Sequence, residues 1–327
     1  MLTTIKTVIF KLVLDVEFVI YEHICCYHVT DDTARDMAAM PLVDPAYTRF
    51  QRQRPLQFSS SRERYIEDMV VVSERRILLS DWKNRSVLLV DSEKGEALAS
   101  VSVPGRPWGV CMVHASCAAV TLSDKKQIQF VNMATDSLTT AEAVTVMGNV
   151  RGIATMDNLM AVTYLDPPAL ELVSKVGKRL HRVDNTSAGR ELFMSPHYVV
   201  VSGARVFVSD WSTNTITMLG DHLQLLASFT EPHILKSPRG IISLDENQLL
   251  VCGYRSDNIV LLQVNRRHMS VILKEKDDVY DPRALAFCHD TRTVYMAPAP
   301  SPSYTTKSLQ RYRQRQINGM LICHNYV

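Results

Sequence analysis

Six residues stand at corresponding places along a periodic chain: Glu67, Trp108, Arg151, His197, Arg239 and Arg283. Each heads a short apolar run, as in Trp108-Gly109-Val110-Cys111, Arg151-Gly152-Ile153-Ala154 and Arg239-Gly240-Ile241-Ile242. The residues that follow them are numbers 68, 109, 152, 198, 240 and 284, in steps of 41, 43, 46, 42 and 44. Proline stands one step earlier in four of the six, at Pro107, Pro196, Pro238 and Pro282. Guanidinium forks hold carboxylate or phosphate through paired hydrogen bonds. An indole stacks on a base or on a guanidinium. If the units close into a ring, Trp108, Arg151, His197, Arg239 and Arg283 converge as a mouth for an acidic peptide or single-stranded RNA. The competing expectation is structural: the same arginines pair with Asp81, Asp210 or Asp281 and fasten neighbouring units.

Other chemistries find less material. Metal-dependent hydrolysis needs several converging carboxylates, and the column supplies only Glu67, with Asp281 nearby. A nucleophile elbow of the Gly-x-Ser-x-Gly type does not occur in the sequence. The seven cysteines, Cys25, Cys26, Cys111, Cys117, Cys252, Cys288 and Cys323, include no CxxC pair and read as reduced, packed thiols. No metal and no cofactor are expected, and the chain is expected not to be an enzyme. The triplets Asn84-Arg85-Ser86 and Asn185-Thr186-Ser187 match a glycosylation acceptor, but such triplets arise by chance.

The elements that must position the column are short strands. A second anchor keeps the same period: Ile77–Ser80, Ala118–Thr121, Met160–Thr163, Val206–Ser209, Leu249–Cys252 and Val294–Met296. A third apolar run follows polar turns at Val87–Val90, Ile128–Val131, Leu170–Val173, Ile216–Leu219 and Ile259–Gln263. Weaker fourth runs occur, such as Leu225–Phe229 and Val271–Leu273. Strands of four to six residues between Gly, Asp, Asn and Ser turns mark an all-β fold. Four strands repeated at this period fit the blade of a propeller. The reading is a six-bladed β-propeller over residues 46–316, with blades starting near 65, 107, 150, 196, 238 and 282. An irregular N-terminal extension occupies 1–45 and a tail 317–327.

The last unit is eroded. Ala297-Pro298-Ala299-Pro300-Ser301-Pro302 cannot donate a regular ladder and reads as a loop. Ser308–Arg313 supplies a third strand, and the fourth must come from elsewhere. Leu56-Gln57-Phe58-Ser59, near 56–59, is the expected closing strand. That closure brings two basic stretches together: Arg49, Arg52, Arg54, Arg62 and Arg64 with Lys307, Arg311, Arg313 and Arg315. Arg52, Arg54, Arg311 and Arg313 are expected to form one basic seam patch. It contacts RNA or an acidic protein, or merely guards an edge strand.

Charge agrees with this division. The net charge is +2; residues 65–306 carry 24 basic and 26 acidic side chains, and residues 307–327 carry four basic and none acidic. Val8–Tyr21 is apolar but broken by Lys11, Asp15 and Glu17, so neither a membrane span nor a signal peptide is expected. A cytoplasmic location is the expectation.

Ser80-Asp81-Trp82-Lys83-Asn84-Arg85-Ser86-Val87 and Ser209-Asp210-Trp211-Ser212-Thr213-Asn214-Thr215-Ile216 resemble the NHL repeat, as does the opening Pro238-Arg239-Gly240-Ile241. Residues 56–315 are similar to the C-terminal propeller of tripartite-motif (TRIM) proteins, the divergent invertebrate ones above all. Units two, three and five depart from the pattern, with Leu122, Tyr164 and Gly253 where the family has Asp. The family's RING and B-box have no counterpart in these residues, Cys25-Cys26-Tyr27-His28 being too sparse. The resemblance implies a non-catalytic scaffold recognising a protein partner, as the substrate-binding part of a ubiquitin-ligase pathway. Single-stranded RNA is the alternative ligand, and a propeller hydrolase the third reading.

Overall fold

The computed structural model describes residues 49–58, 63–186, 188–299 and 308–315. The N-terminal extension, Cys25, Cys26, Cys323, Ser59, Arg62 and Lys307 lie outside the described residues. Two short strands open the described chain, β1 (Arg49–Arg52) and β2 (Leu56–Gln57). Blade 1 is β3 (Ile66–Ser73), β4 (Arg76–Asp81), β5 (Ser86–Asp91) and β6 (Ala97–Ser102). Blade 2 is β7 (Pro107–His114), β8 (Cys117–Leu122), β9 (Gln127–Ala134) and β10 (Ser137–Thr145). Blade 3 is β11 (Val150–Met156), β12 (Leu159–Leu165), β13 (Pro168–Ser174) and β14 (Arg179–Val183). Blade 4 is β15 (Pro196–Ser202), β16 (Arg205–Asp210), β17 (Thr215–Leu219) and β18 (Leu225–Thr230). Blade 5 is β19 (Pro238–Asp245), β20 (Gln248–Gly253), β21 (Asn258–Gln263) and β22 (His268–Lys274). Blade 6 is β23 (Pro282–Cys288), β24 (Thr293–Pro298) and β25 (Ser308–Arg315), completed by β1 and β2. All pairings within blades are antiparallel between neighbours, and each first strand touches the first strand of the next blade, β23 returning to β3.

The hydrophobic core is divided among the blade interfaces. Among the described residues six apolar clusters occur, one between each pair of adjacent blades. Strand periodicity feeds them: successive side chains point to opposite faces. Ile77 and Leu79 of β4 join the cluster shared with blade 6, and Leu78 between them joins the cluster shared with blade 2. A middle strand therefore has both faces covered, which is why β4, β8 and β20 read as unbroken apolar runs rather than as alternation. Among the described residues, no helix is long and apolar enough to cross a membrane.

The closing strand differs from the expectation at Leu56–Ser59. Its longer part is β1, running from Arg49 opposite Arg315 to Arg52 opposite Tyr312. β2 adds only Leu56 opposite Leu309 and Gln57 opposite Ser308. Pro55 separates the two, because a fixed φ and a missing N–H interrupt a ladder. Gln53 N–H still reaches the Arg311 carbonyl at 2.8 Å. Leu56 is buried in the interface with blade 1, and Phe50 packs against the core shared with blade 5. Gly95 in blade 1 makes this closure fit. Its φ is +75°, and a Cβ there would lie 1.9 Å from the Gln57 carbonyl oxygen. The proline-rich loop also starts later than expected: Ala297 and Pro298 remain in β24, opposite Ala284 and Pro282. Pro298 is the last residue of its strand, where no ladder donor is required.

Candidate functional site

The six column residues sit at one structural defect repeated around the ring. In every blade the register between first and second strand slips once near the start: at Ile66/Asp68, Pro107/Val110, Val150/Ile153, Pro196/Tyr198, Pro238/Ile241 and Pro282/Ala284. Such bulges re-aim the residue they contain. Glu67, Trp108, Arg151, His197, Arg239 and Arg283 are those residues.

A buried hydroxyl holds the bulge in three blades and reaches the next blade in four. Ser80, Thr121, Thr163 and Ser209 stand near the ends of the second strands of blades 1–4. Ser80 Oγ accepts Asp68 N–H, Thr121 Oγ1 accepts Gly109 N–H and Thr163 Oγ1 accepts Gly152 N–H, at 3.0, 2.8 and 2.8 Å. The four hydroxyls then donate to the carbonyls of Trp108, Arg151, His197 and Arg239, each a column residue of the next blade. In blades 1–3 one hydroxyl thus fixes its own blade's bulge and the neighbour's column residue. Cys252 and Ala297 hold the equivalent places in blades 5 and 6. At Gly109 the neighbouring strand is so close that a Cβ would meet the Arg151 carbonyl oxygen at 2.7 Å.

The side chains converge. Arg283 Nη1 donates to Glu67 Oε1 at 2.5 Å, and Arg239 Nη1 lies 3.9 Å from Glu67 Oε2. The Arg151 guanidinium lies over the Trp108 ring at 3.8 Å from its centroid. His197 stands between two indoles, 5.9 Å from Trp108 and 6.1 Å from Trp211. Its Nδ1–H donates to the Ser195 carbonyl at 2.9 Å, which leaves Nε2 as the unprotonated nitrogen. Burial, then the Arg239 and Arg151 charges, hold its pKa down to about 4. Burial raises the Glu67 carboxyl above its ordinary range against the pull of Arg283, Arg239 and Arg151. Burial likewise lowers Arg151. The expected pairing with Asp81, Asp210 or Asp281 is therefore corrected: Arg283 and Arg239 share Glu67, which stands in the blade next to that of Arg283 around the ring. Asp81 instead bonds Arg64, Asn84 and the Tyr65 N–H, and Asp210 accepts the N–H groups of Met194, Ser195, Ser212 and Thr213. These carboxylates are turn formers.

Below the mouth the channel is barred. Tyr198 of blade 4 reaches the opposite wall, where its hydroxyl donates to the Glu67 carbonyl at 2.6 Å. Asp68 lies beside it, accepting the N–H groups of Val110 and Met69 at 3.0 and 2.9 Å. Burial pushes the Asp68 carboxyl up to about 7. Beyond Tyr198 is a cavity of ≈ 350 Å³ walled chiefly by Val70, Val110, Met112, Ile153, Val199 and Ile241. Among the described residues, no three His, Cys, Asp or Glu side chains gather to hold a metal ion.

The mouth continues outward through residues the column did not include. Trp82 and Trp211 follow Asp81 and Asp210 in the turns after the second strands, and Tyr254 follows Gly253. Arg106 lies over Trp82 at 4.3 Å, Arg255 over Trp211 at 4.8 Å and Arg239 over Tyr254 at 4.5 Å. Tyr65 stacks on Trp82, and Lys83 stands over Tyr65. All three tryptophans of the chain thus lie at this end of the blades, each under a guanidinium. Antiparallel pairing is the signal that would have found them, since second strands end where first strands begin. Met147 and Met194, in the connections into β11 and β15, are 77% and 61% exposed at the same end.

The seam does not assemble one basic patch. Side chains alternate along β25, and Arg52 pairs with Asp278 on the blade 5 side. Arg311 turns the other way: its Nε donates to the Arg54 carbonyl at 2.9 Å and its Nη1 to the Ser92 carbonyl of blade 1 at 3.0 Å. Arg313 shares the Arg311 face and is exposed, as is Arg54. Two of the four arginines are thus engaged in closing the ring.

No family model matches the chain, and no curated protein matches it. Solved structures resemble it at low identity. A protein of unknown function from Bacteroides thetaiotaomicron is 9% identical, covering 80% of this chain and 72% of that one, with a TM-score of 0.63. Virginiamycin B lyase from Staphylococcus aureus is 11% identical over 81% of this chain and 99% of its own, at a TM-score of 0.57. The RRP9 WD40 repeats are 11% identical over 81% and 100%, also at 0.57. At these identities the likeness bears on fold alone: the chain is a six-bladed β-propeller.

Proposed function

We propose that this propeller is a non-catalytic interaction module that receives a protein partner on the tryptophan- and arginine-lined mouth of its channel. The observation that carries the reading is the gathering of Trp82, Trp108 and Trp211, each with a stacked guanidinium, at one end of the blades. Tryptophan and arginine are the residues that dominate protein interfaces energetically. Two exposed methionines at the same end, Met147 and Met194, add adaptable apolar surface. Glu67 is held by guanidiniums and Asp68 by backbone N–H groups, an arrangement suited to structure more than to metal binding. The resemblance to NHL propellers of tripartite-motif proteins fits this role and extends it. In that setting the chain is the substrate-recognising part of a ubiquitin-ligase pathway, with another chain supplying the zinc domain.

Quantitative pulldown with the full chain tests the reading. Proteins retained by the wild type are expected to fall at least tenfold with Arg106→Glu plus Arg255→Glu, by roughly the loss of two interfacial hot spots. Equal retention by both forms sinks it. Single-stranded RNA is the second reading, favoured by the interleaving of aromatic rings and guanidiniums. A gel shift that persists at low salt and collapses steeply as salt rises would select it.

A further inference from the structure

At the mouth three arginines surround one ion-paired carboxylate, with Asp281 near Arg283 and Arg239 but not bonded to them. Arg151, Arg239 and Arg283 surround Glu67, and no other ion pair to these three occurs among the described residues. Their exposure is small: the side chains of Arg239 and Arg283 are 12% and 13% accessible. A charge withdrawn from water without a partner is costly. Polar atoms tell the same story independently. Arg151 Nε, Arg239 Nε and Nη1, Arg283 Nε, Trp108 Nε1 and Trp211 Nε1 are buried donors without a hydrogen-bond partner among the described residues. Trp108 itself is 8% exposed. Buried donors in folded proteins are nearly always satisfied. On the acceptor side only Glu67 Oε2 is left over there, 3.9 Å from Arg239 Nη1.

We infer that the mouth is a binding site for one carboxylate of the protein partner, seated between Arg239 and Arg151 while Glu67 keeps Arg283. The inference rests on the reading of this face as a protein-binding surface. Glu67 shows what chemistry the arginines accept, since it is itself a carboxylate on two of them. A second carboxylate lowers the surplus charge, takes up the unpartnered Arg239 Nη1, and stops at the Tyr198 bar. An acidic side chain or a chain-terminal carboxylate supplies the same group.

Tryptophan fluorescence of the full chain tests this, because all three tryptophans are at the mouth. The probes are a blocked tripeptide Ac-Ala-Glu-Ala-amide, its Gln twin, and the Gln twin with a free C-terminus. The Glu peptide or the free C-terminus is expected to give a saturable change, and the blocked Gln twin none. The two responding arms separate side chain from chain end. Arg239→Gln is expected to weaken binding at least ~10-fold, the scale of a lost charge-assisted hydrogen bond. Glu67→Gln, which removes the internal competitor, is expected to strengthen it severalfold. Arg239→Lys replaces Arg239→Gln if the latter does not fold, and Lys175→Gln, at the far end of blade 3, is the unaffected control. Equal responses to the Glu and blocked Gln peptides, a preference for inorganic phosphate, or undiminished binding by a folded Arg239 variant overturns the inference. Should the Arg106/Arg255 double variant lose its partner while no peptide responds, the carboxylate site falls and the partner face stands. Failure of both assays removes both.

Discussion

Replacing Thr121 by valine tests whether a single hydroxyl couples two blades and shapes the mouth. Thr121 is fully buried at the end of β8. Its Oγ1 accepts Gly109 N–H at 2.8 Å within blade 2 and donates to the Arg151 carbonyl of blade 3. Valine has nearly the same shape, so the substitution removes both bonds and adds almost no cavity. An orphaned buried donor costs about 1–3 kcal/mol, and the Arg151 carbonyl loses a bond worth roughly 1 kcal/mol more. The expected destabilisation is therefore about 2–4 kcal/mol, read from urea unfolding as a lower midpoint at unchanged slope. Thr121→Ser keeps the hydroxyl and deletes one methyl, for about 1 kcal/mol. The ordering separates hydrogen bonding from packing: serine should be clearly milder than valine. A valine variant within about 0.5 kcal/mol of wild type, the ordinary scatter of neutral changes, would refute the relay. So would a serine variant that is equally damaged. Because the same hydroxyl sets the Arg151 backbone, the valine variant should also weaken capture of the partner.

Two further perturbations follow from the site and the seam. His197 stays neutral in the folded protein down to about pH 4, whereas Asp68 holds its proton up to about 7. As pH falls from 7 toward 4, unfolded His197 gains a proton that the native state refuses, and stability drops. Over the same window native Asp68 gains a proton that the unfolded chain does not, and stability rises. His197→Gln removes the first effect, so its unfolding free energy should climb on acidification by about 1.4 kcal/mol per pH unit for each proton. Urea midpoints across that range check it, and a slope unchanged from wild type contradicts it. At the seam, Arg311→Met keeps the apolar stem but loses the bonds to the Arg54 and Ser92 carbonyls. Trypsin cleavage after Arg52, the bond after Arg54 being blocked by Pro55, should then quicken by roughly tenfold through local opening, with no change expected if the contacts are incidental.

The blades were legible because their signals are local and repeated. Ile77–Ser80 and its five counterparts announce a strand buried on both faces, and Pro107, Pro196, Pro238 and Pro282 mark the entries to first strands. The column was legible for the same reason, although spacing alone could not show that its residues occupy a bulge. What spacing cannot reveal is who meets whom across a ring. Glu67 and Arg283 are 216 residues apart and Glu67 and Tyr198 are 131 apart. Asp281, two residues from Arg283, was the more obvious partner by sequence, yet no ion pair joins them among the described residues. The expected closing strand caught only the shorter of two pairing segments, because Leu56-Gln57-Phe58 is the more apolar stretch. Arg49-Phe50-Gln51-Arg52 hides one core residue among three polar ones, a pattern suited to an outermost strand with one wet face. Trp82 and Trp211 were visible as part of a turn motif but not as part of the mouth, since their place depends on which end of the blade the turn occupies.

The bar across the channel decides what kind of recognition this ring can perform. At the position after the column residue, blades 2, 3 and 5 have Gly109, Gly152 and Gly240, and blade 6 has Ala284. Small residues there let neighbouring first strands approach closely. Only blades 1 and 4 carry functional groups at this level, Asp68 and Tyr198, and those blades face each other. Tyr198 closes the gap by bonding to the Glu67 backbone rather than to its carboxylate. The carboxylate is thereby left to Arg283 and Arg239 above, and the apolar cavity below is separated from the guanidiniums. On the proposed reading, a ligand meets this ring from outside, above the Tyr198–Glu67 bond. Specificity, on the same reading, rests on the outer frame of Trp82, Trp211 and Tyr254 with Arg106 and Arg255, while the three channel arginines supply an anchor of fixed depth. Anchor and frame belong to different strands, first strands for one and the turns after second strands for the other. The relay hydroxyls at Ser80, Thr121, Thr163 and Ser209 join those two strands in four blades. The same atoms that hold the propeller together therefore hold anchor and frame in register.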